Sequence, residues 1–191
     1  KILSERGYPI HRVDAFRYFI GDGAKMLISR VLPEEARKET LIEECRKDFE
    51  TIYRDCWNRQ TVPYQGISEM LNAITKLKLK LAVLSNKPHE FTVLNVDHFF
   101  QKWNFDVILG QRDGVPKKPD PAGMLEICQK LKVSSKEFLY LGDTATDMKT
   151  AVAAGCYPVG VLWGFRSEKE LKDSGAKAII KNPLDVLNLI K

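Results

Sequence analysis

"YLGDTATDMKTA", residues 140–151, follows a short apolar run and sets two aspartates, Asp143 and Asp147, four residues apart. One account is purely structural. Asp143 or Thr144 caps a helix, and Asp147 in its first turn is favoured by the helix dipole. The other is chemical: two carboxylates at the end of a strand can hold a hard cation such as Mg²⁺, which prefers oxygen ligands and keeps several waters. Both accounts need the same local order of strand, turn and helix. The stretch therefore bears on the fold as well as on function.

Working outward, the same order recurs. "LAVL" (81–84), "FDVILG" (105–110), "FLYL" (138–141), "YPVGVL" (157–162) and "AKAII" (176–180) are short runs rich in apolar and β-branched residues. Helical patterns lie around 67–77, 89–103, 121–131 and 146–154. Short apolar strands alternating with helices predict an α/β fold, a parallel sheet covered on both faces. Residues 1–60 differ, with no convincing strand. Glu34 to Trp57 is expected as one long amphipathic helix, because Leu41, Cys45, Phe49, Ile52, Tyr53 and Cys56 keep three-to-four spacing and Pro33 stands just ahead. "NRQTVPYQG" (58–66) is polar and carries Pro63 and Gly66, and it reads as a hinge. The expected division is a helical domain over 1–61 and an α/β domain over 62–191.

Composition narrows the function classes. A chain of 191 residues, 44% hydrophobic and 29% charged, is ordinary for a globular protein. No apolar run approaches the roughly 20 residues that span a bilayer. Cys45, Cys56, Cys128 and Cys156 form no C-x-x-C pair, so a reduced, cytoplasmic protein without structural zinc is expected. The net charge of +5 is spread among acidic residues, and Lys76, Lys78 and Lys80 lack interleaved aromatics, which argues against nucleic acid as a partner. His11, His89 and His98 form no ligand cluster and are expected on helices, at the surface or as caps. "GDGAKM" stops short of G-x-G-x-x-G and follows no strand, and no G-x-x-x-x-G-K-[ST] occurs.

In an open parallel sheet, ligands bind beyond the carboxyl ends of the strands. Ser85, Asn86 and Lys87 follow "LAVL"; Lys117 and Lys118 precede Pro119 after "FDVILG"; Gly142, Asp143, Thr144 and Asp147 follow "FLYL". Each set has a plain account as a turn, a solvated lysine or a helix cap. Taken together, a hydroxyl, an amide and an ammonium suit phosphate oxygens, and a carboxylate pair suits a divalent cation. Such a combination is what phosphoryl transfer requires, because catalysis there is mostly positioning and charge stabilisation.

"SNKP", then "KKPDP", then "GDTATD", each behind a strand, resembles the second, third and fourth motifs of the haloacid dehalogenase-like hydrolases. The phosphoglycolate phosphatase-like branch is the most similar. "PYQGISEMLNAITKLKLKLAVLSNKP" (63–88), "VLWGF" (161–165) and "FIGDGAKML" (19–27) are also similar to segments of that branch. The resemblance implies a Rossmann-like core with a helical cap domain, and Mg²⁺-dependent hydrolysis of a small phosphorylated metabolite through an aspartyl-phosphate. It implies that Ser85 bonds the transferring phosphoryl group and that Asn86 shapes its site. Lys118 would neutralise charge, and Asp143 would be a direct Mg²⁺ ligand. Asp147 would bind the metal, a metal-bound water or the serine–lysine network. Gly21, Asp22, Gly23 and Lys25 would form a cap loop facing the leaving group, in a monomer or homodimer. A degenerate member that binds without catalysis and a phosphomutase are the alternatives. A dehalogenase fits the paired carboxylates worse, and a signalling receiver domain has its lysine in the wrong order.

The resembled family also has a first motif, D-x-D-x-[TV], that ends a strand and supplies the nucleophile. No such motif occurs in these 191 residues, and the chain opens on Lys1. That strand would lie between those ending in Ser85 and Asp143, where its removal would orphan buried backbone groups at about 1–3 kcal/mol each. The native protein is therefore expected to continue upstream of Lys1. Intact-mass measurement of the native protein should exceed 21.8 kDa. A folded sample with the mass of 191 residues would contradict this expectation.

Overall fold

The computed structural model describes residues 1–190 and divides the chain into two compact units, residues 1–62 and 63–191. The first unit is helical: α1 (Ile2–Glu5), α2 (Phe16–Phe19), α3 (Ala24–Val31) and α4 (Glu39–Cys56). Ile28, Leu32, Ile42 and Cys45 form its buried centre, with Leu41 and Phe49 packed against them. The polar face of α4 is laced by Arg46, which pairs with Glu43 and Glu50. The single helix expected from Glu34 to Trp57 is in fact interrupted. Glu34–Ala36 form a 3₁₀ turn, Arg37 leaves helical geometry at ψ 50°, and Lys38 is extended as the N-cap of α4. The turn buries Ala36, and the Arg37 Nε donates to the Leu32 carbonyl, so local packing and a side-chain bond replace continued helix.

The second unit follows the alternation read from the sequence, as an α/β fold. It comprises α5 (Ile67–Lys76), β1 (Ala82–Pro88), α6 (His89–Phe99), β2 (Val107–Gln111), α7 (Ala122–Leu131), β3 (Leu139–Gly142), α8 (Ala145–Ala154), β4 (Tyr157–Val161), α9 (Glu168–Asp173) and β5 (Ala178–Ile180). All pairings are parallel. The short α9, whose N-cap Ser167 accepts from the Glu170 N–H, and the closing 3₁₀ turn (Pro183–Leu189) were not among the expected elements. Pro158, Val159, Gly160 and Val161 are all buried, as expected of a parallel strand covered on both faces.

The ladder falls into two parts, β1–β2 and β3–β4–β5. The interruption lies between the strand that carries Ser85 and the strand that leads to Asp143, the two neighbours that the resemblance separates by a further strand. Val83, Leu84, Leu139 and Leu141 are only half-buried beside it. Two apolar clusters nevertheless span both parts. Under α7 and α8, Val107 and Leu109 of β2 meet Met124, Ile127 and Tyr140. On the other, Leu71 and Ile74 of α5 meet Val159, Val161 and Ile180, with Leu81 and Leu141 alongside. Ile127 is 1% exposed at the centre of the first cluster. Ile127→Ala should therefore cost about 2–5 kcal/mol, read as a lower urea midpoint with an unchanged slope.

Candidate active site

The end of β1 does not stop at "LAVL" but runs on through Ser85, Asn86, Lys87 and Pro88, with an irregular register against β2 between Leu84 and Pro88. The Ser85 Oγ accepts from the Lys87 N–H at 3.1 Å, which folds the serine back over the strand end. Asn86 is 6% exposed and makes a reciprocal pair with the lysine loop. Its Oδ1 accepts from the Lys118 N–H at 2.9 Å, and its Nδ2 donates to the Lys118 carbonyl at 3.0 Å. A buried amide satisfied on both sides locks two segments together, because losing either partner would strand a polar group. The first two predicted strand-end sets thus meet, and Ser85, Asn86 and Lys118 line one cleft.

Lys118 then reaches across to the third set. Its Nζ donates to the Leu84 carbonyl at 3.1 Å and to Asp147 Oδ1 at 2.7 Å. Burial on its own would lower the proton affinity of this amine. The charge of Asp147, then Tyr140, the hydrogen bond to Asp147 and the charge of Asp143 turn the net shift upward, so Lys118 remains an ammonium.

Asp147 answers the question posed by its spacing. Its Oδ2 accepts from the Thr144 N–H at 3.1 Å and from the Thr144 hydroxyl at 2.6 Å, while its own N–H donates to Thr144 Oγ1. Thr144 and Asp147 form a reciprocal capping box for α8, and the free end of the same carboxylate holds Lys118. Asp147 is therefore a cap and a lysine partner at once. The position before Asp143 must be glycine for this to happen, since a Cβ on Gly142 would lie 2.2 Å from the Asp147 Cβ.

Asp143 stands differently. Its Oδ2 accepts from the Phe165 N–H at 2.9 Å. The loop that supplies this N–H approaches so closely that a Cβ on Gly164 would sit 2.2 Å from the Asp143 Cβ. Burial, followed by the negative charge of Asp147, raises the Asp143 proton affinity; the Phe165 N–H and Lys118 oppose the rise. A half-buried carboxylate beside a second one is a place where a cation relieves repulsion, and its hard oxygens suit a divalent ion. No group of three or more His, Cys, Asp or Glu side chains able to hold a metal occurs among the described residues. These residues therefore fit one or two of the ligands of an ion that keeps other oxygens around it. The role of Gly164 and Phe165 was missed in the sequence, although "VLWGF" was noted there as a similar segment. Its signal is a glycine just past an apolar strand.

The remaining predicted residues belong to the N-terminal unit. Gly21 and Gly23 both have positive φ around Asp22. Asp22 pairs with Arg30 at 2.5 Å, and Arg30 also donates to the Phe19 carbonyl. Lys25 pairs with Glu39. Both charged residues thus brace the turn inside their own unit. Of the histidines, His89 opens α6 and its Nδ1 accepts from the Gly110 N–H, whereas His11 lies outside the helices, edge-on to Phe19. The latter placement corrects the expectation of a helical site.

Residues 1–161 match the sequence model of the haloacid dehalogenase-like hydrolase family. Among curated relatives, a "probable phosphoglycolate phosphatase" of Pseudomonas putida is 29% identical over 184 residues, covering 94% of this chain and 73% of the relative. A phosphoglycolate phosphatase of Photobacterium profundum is 28% identical over 186 residues, covering 94% and 80%. Among solved structures, a "predicted phosphoglycolate phosphatase" from Haemophilus somnus superposes with a TM-score of 0.89 at 25% identity, covering 98% of this chain and 86% of that one. The match extends over both the cleft and the helical unit. The chain belongs to the haloacid dehalogenase-like hydrolases, in a phosphoglycolate phosphatase-like branch.

Proposed function

We propose that the protein is a Mg²⁺-dependent phosphatase that hydrolyses a small phosphorylated metabolite of the phosphoglycolate kind. The observation that carries this reading is Lys118, a buried ammonium held between the Leu84 carbonyl and Asp147 at the mouth of the cleft that Ser85 and Asn86 line. An anion entering there meets a positive charge that Asp147 already holds in place, which favours stabilisation of a transferring phosphoryl group.

Within this reading, Lys118 offsets the negative charge of the phosphoryl oxygens. The Ser85 hydroxyl donates to one of those oxygens while its own oxygen stays fixed by the Lys87 N–H. Asn86 keeps the Lys118 backbone in place. Asp143 holds the cation, and Asp147 orients Lys118; both oxygens of Asp147 are already engaged, which favours that role over direct ligation. The cation, when bound, neutralises phosphate charge and aligns the ester. Hydrolysis through an aspartyl-phosphate needs an attacking carboxylate that forms the new P–O bond as the ester P–O bond breaks, and then water that releases phosphate. Asp147 is engaged with Lys118 and Thr144 and Asp143 is given to the cation, so the attacking carboxylate is assigned to the first motif that the family carries. The N-terminal unit is assigned as the cap, with the Asp22–Arg30 and Lys25–Glu39 pairs shaping its loop.

The test is a panel of phosphomonoesters offered to the full-length protein. Mg²⁺-dependent release of phosphate, abolished by EDTA and restored by Mg²⁺, is expected; no release across the panel sinks the reading. Lys118→Ala should lower kcat/KM by about 10²–10³-fold. Asp143→Asn separates metal binding from folding. A carboxyl whose folded-state proton affinity is raised favours the fold at low pH, and that contribution is lost as pH rises through its folded value. At neutral pH the Asp143 charge is thus a cost. The variant should match or exceed the parent Tm in metal-free buffer, while losing the Tm increase that Mg²⁺ gives the parent.

A further inference from the structure

Tyr140 is a buried titratable group that the proposed chemistry does not use. It is 8% exposed, in the cluster beneath α7 and α8. Its hydroxyl is a buried polar atom that finds no hydrogen-bond partner among the described residues. A buried tyrosine hydroxyl usually has one, and an orphan costs stability that a phenylalanine would not. Tyr140 is also a neighbour of Lys118. The ammonium and the phenol alter one another's proton affinity, and the Lys118 ammonium is close enough to favour the ionised phenol as a donor would, although the contact falls short of a well-formed hydrogen bond. Burial pushes the phenol up to about 12, so it is a neutral hydroxyl with an oxygen free to accept.

An ammonium has three N–H donors. Two of those on Lys118 go to the Leu84 carbonyl and to Asp147. An orphaned acceptor beside a lysine with donor capacity to spare amounts to a hydrogen bond one small shift away. We propose that Tyr140 is a positioning residue for Lys118: its hydroxyl oxygen anchors the ammonium from beneath when Lys118 exchanges the Leu84 carbonyl for a phosphoryl oxygen. In the anion-free site the phenol oxygen acts on the ammonium through its dipole. With an anion present, Nζ keeps Asp147, gains the anion and takes Tyr140 as its third acceptor. Tyr140 touches no reacting atom, and no proton changes hands.

This inference rests on the phosphatase reading for its kinetic consequence, but not for its geometry. The experiment is Tyr140→Phe in the full-length protein, with lysine-side-chain NMR, kinetics and Tm read together; Lys118→Arg assigns the Lys118 signal. A shifted Lys118 Nζ resonance in the anion-free variant is expected. With inorganic phosphate added, exchange of the ammonium protons should slow in the parent and stay fast in the variant. The kcat should fall about tenfold, the worth of one hydrogen bond to a charged group, with KM little changed and Tm unchanged or higher. A Lys118 signal and a kcat that both ignore the substitution overturn the proposal and leave Tyr140 as core packing. If the parent hydrolyses no phosphomonoester, the phosphatase reading fails, and the anion-free Lys118 signal alone decides the role of Tyr140.

Discussion

The contact between Lys118 and Asp147 holds the second unit together at its functional end. Both side chains are close to fully buried, at 12% and 10% exposure. Removing two charges from water is expensive, and the pair is tolerable only if the remaining donors and lone pairs are satisfied. The Leu84 carbonyl serves the lysine, and the Thr144 backbone and hydroxyl serve the carboxylate. Breaking such a pair from one side leaves a buried charge, at about 3–5 kcal/mol. The geometry of the whole strand-end region is therefore set by one interaction that cannot be half made.

Its position explains its importance. The ladder is interrupted between β1 and β3, so no backbone hydrogen bonds tie those two strands to each other. Lys118 bridges them with side-chain bonds instead, to the last carbonyl of the "LAVL" run and to the first turn of α8. Asn86 adds a second tie by clamping the lysine loop to β1. The apolar clusters on the two faces supply most of the burial, but they do not specify which polar groups converge. The buried pair and the buried amide do.

The two aspartates of "GDTATD" look alike in the sequence and have separate roles in the structure. Asp147 is enclosed by donors and holds Lys118. Asp143 is enclosed by burial and by a second carboxylate, with the Phe165 N–H as its counterweight. The difference comes from Gly142 and Gly164. Each admits a side chain of the site where any Cβ would collide with it. The close packing shields Asp143 from water beside Asp147, and both effects raise its proton affinity.

Much of this was legible in the chain. Short β-branched runs spaced by helical patterns can bury themselves only as a parallel sheet between helices, so the α/β class followed from periodicity. Ser85, Asn86, Lys118 and Asp143 stood at strand ends, where an open sheet binds ligands, and that placement needed no tertiary information. The capping box at Thr144 and Asp147 is likewise a local matter of three-residue spacing. The break before α4 was not legible, because it turns on burial of Ala36 and a bond from Arg37 to a carbonyl five residues back. Neither was the contact of Phe165 with Asp143, made across 22 residues, nor the orphaned hydroxyl of Tyr140 beside Lys118. Sequence alone determined which chemical groups this protein carries and at which strand ends, since those depend on short-range pattern. Only the tertiary structure decided that Asp147 turns to the lysine while Asp143 takes the Phe165 N–H, because the choice between two identical carboxylates is made by the partners that close packing brings to each.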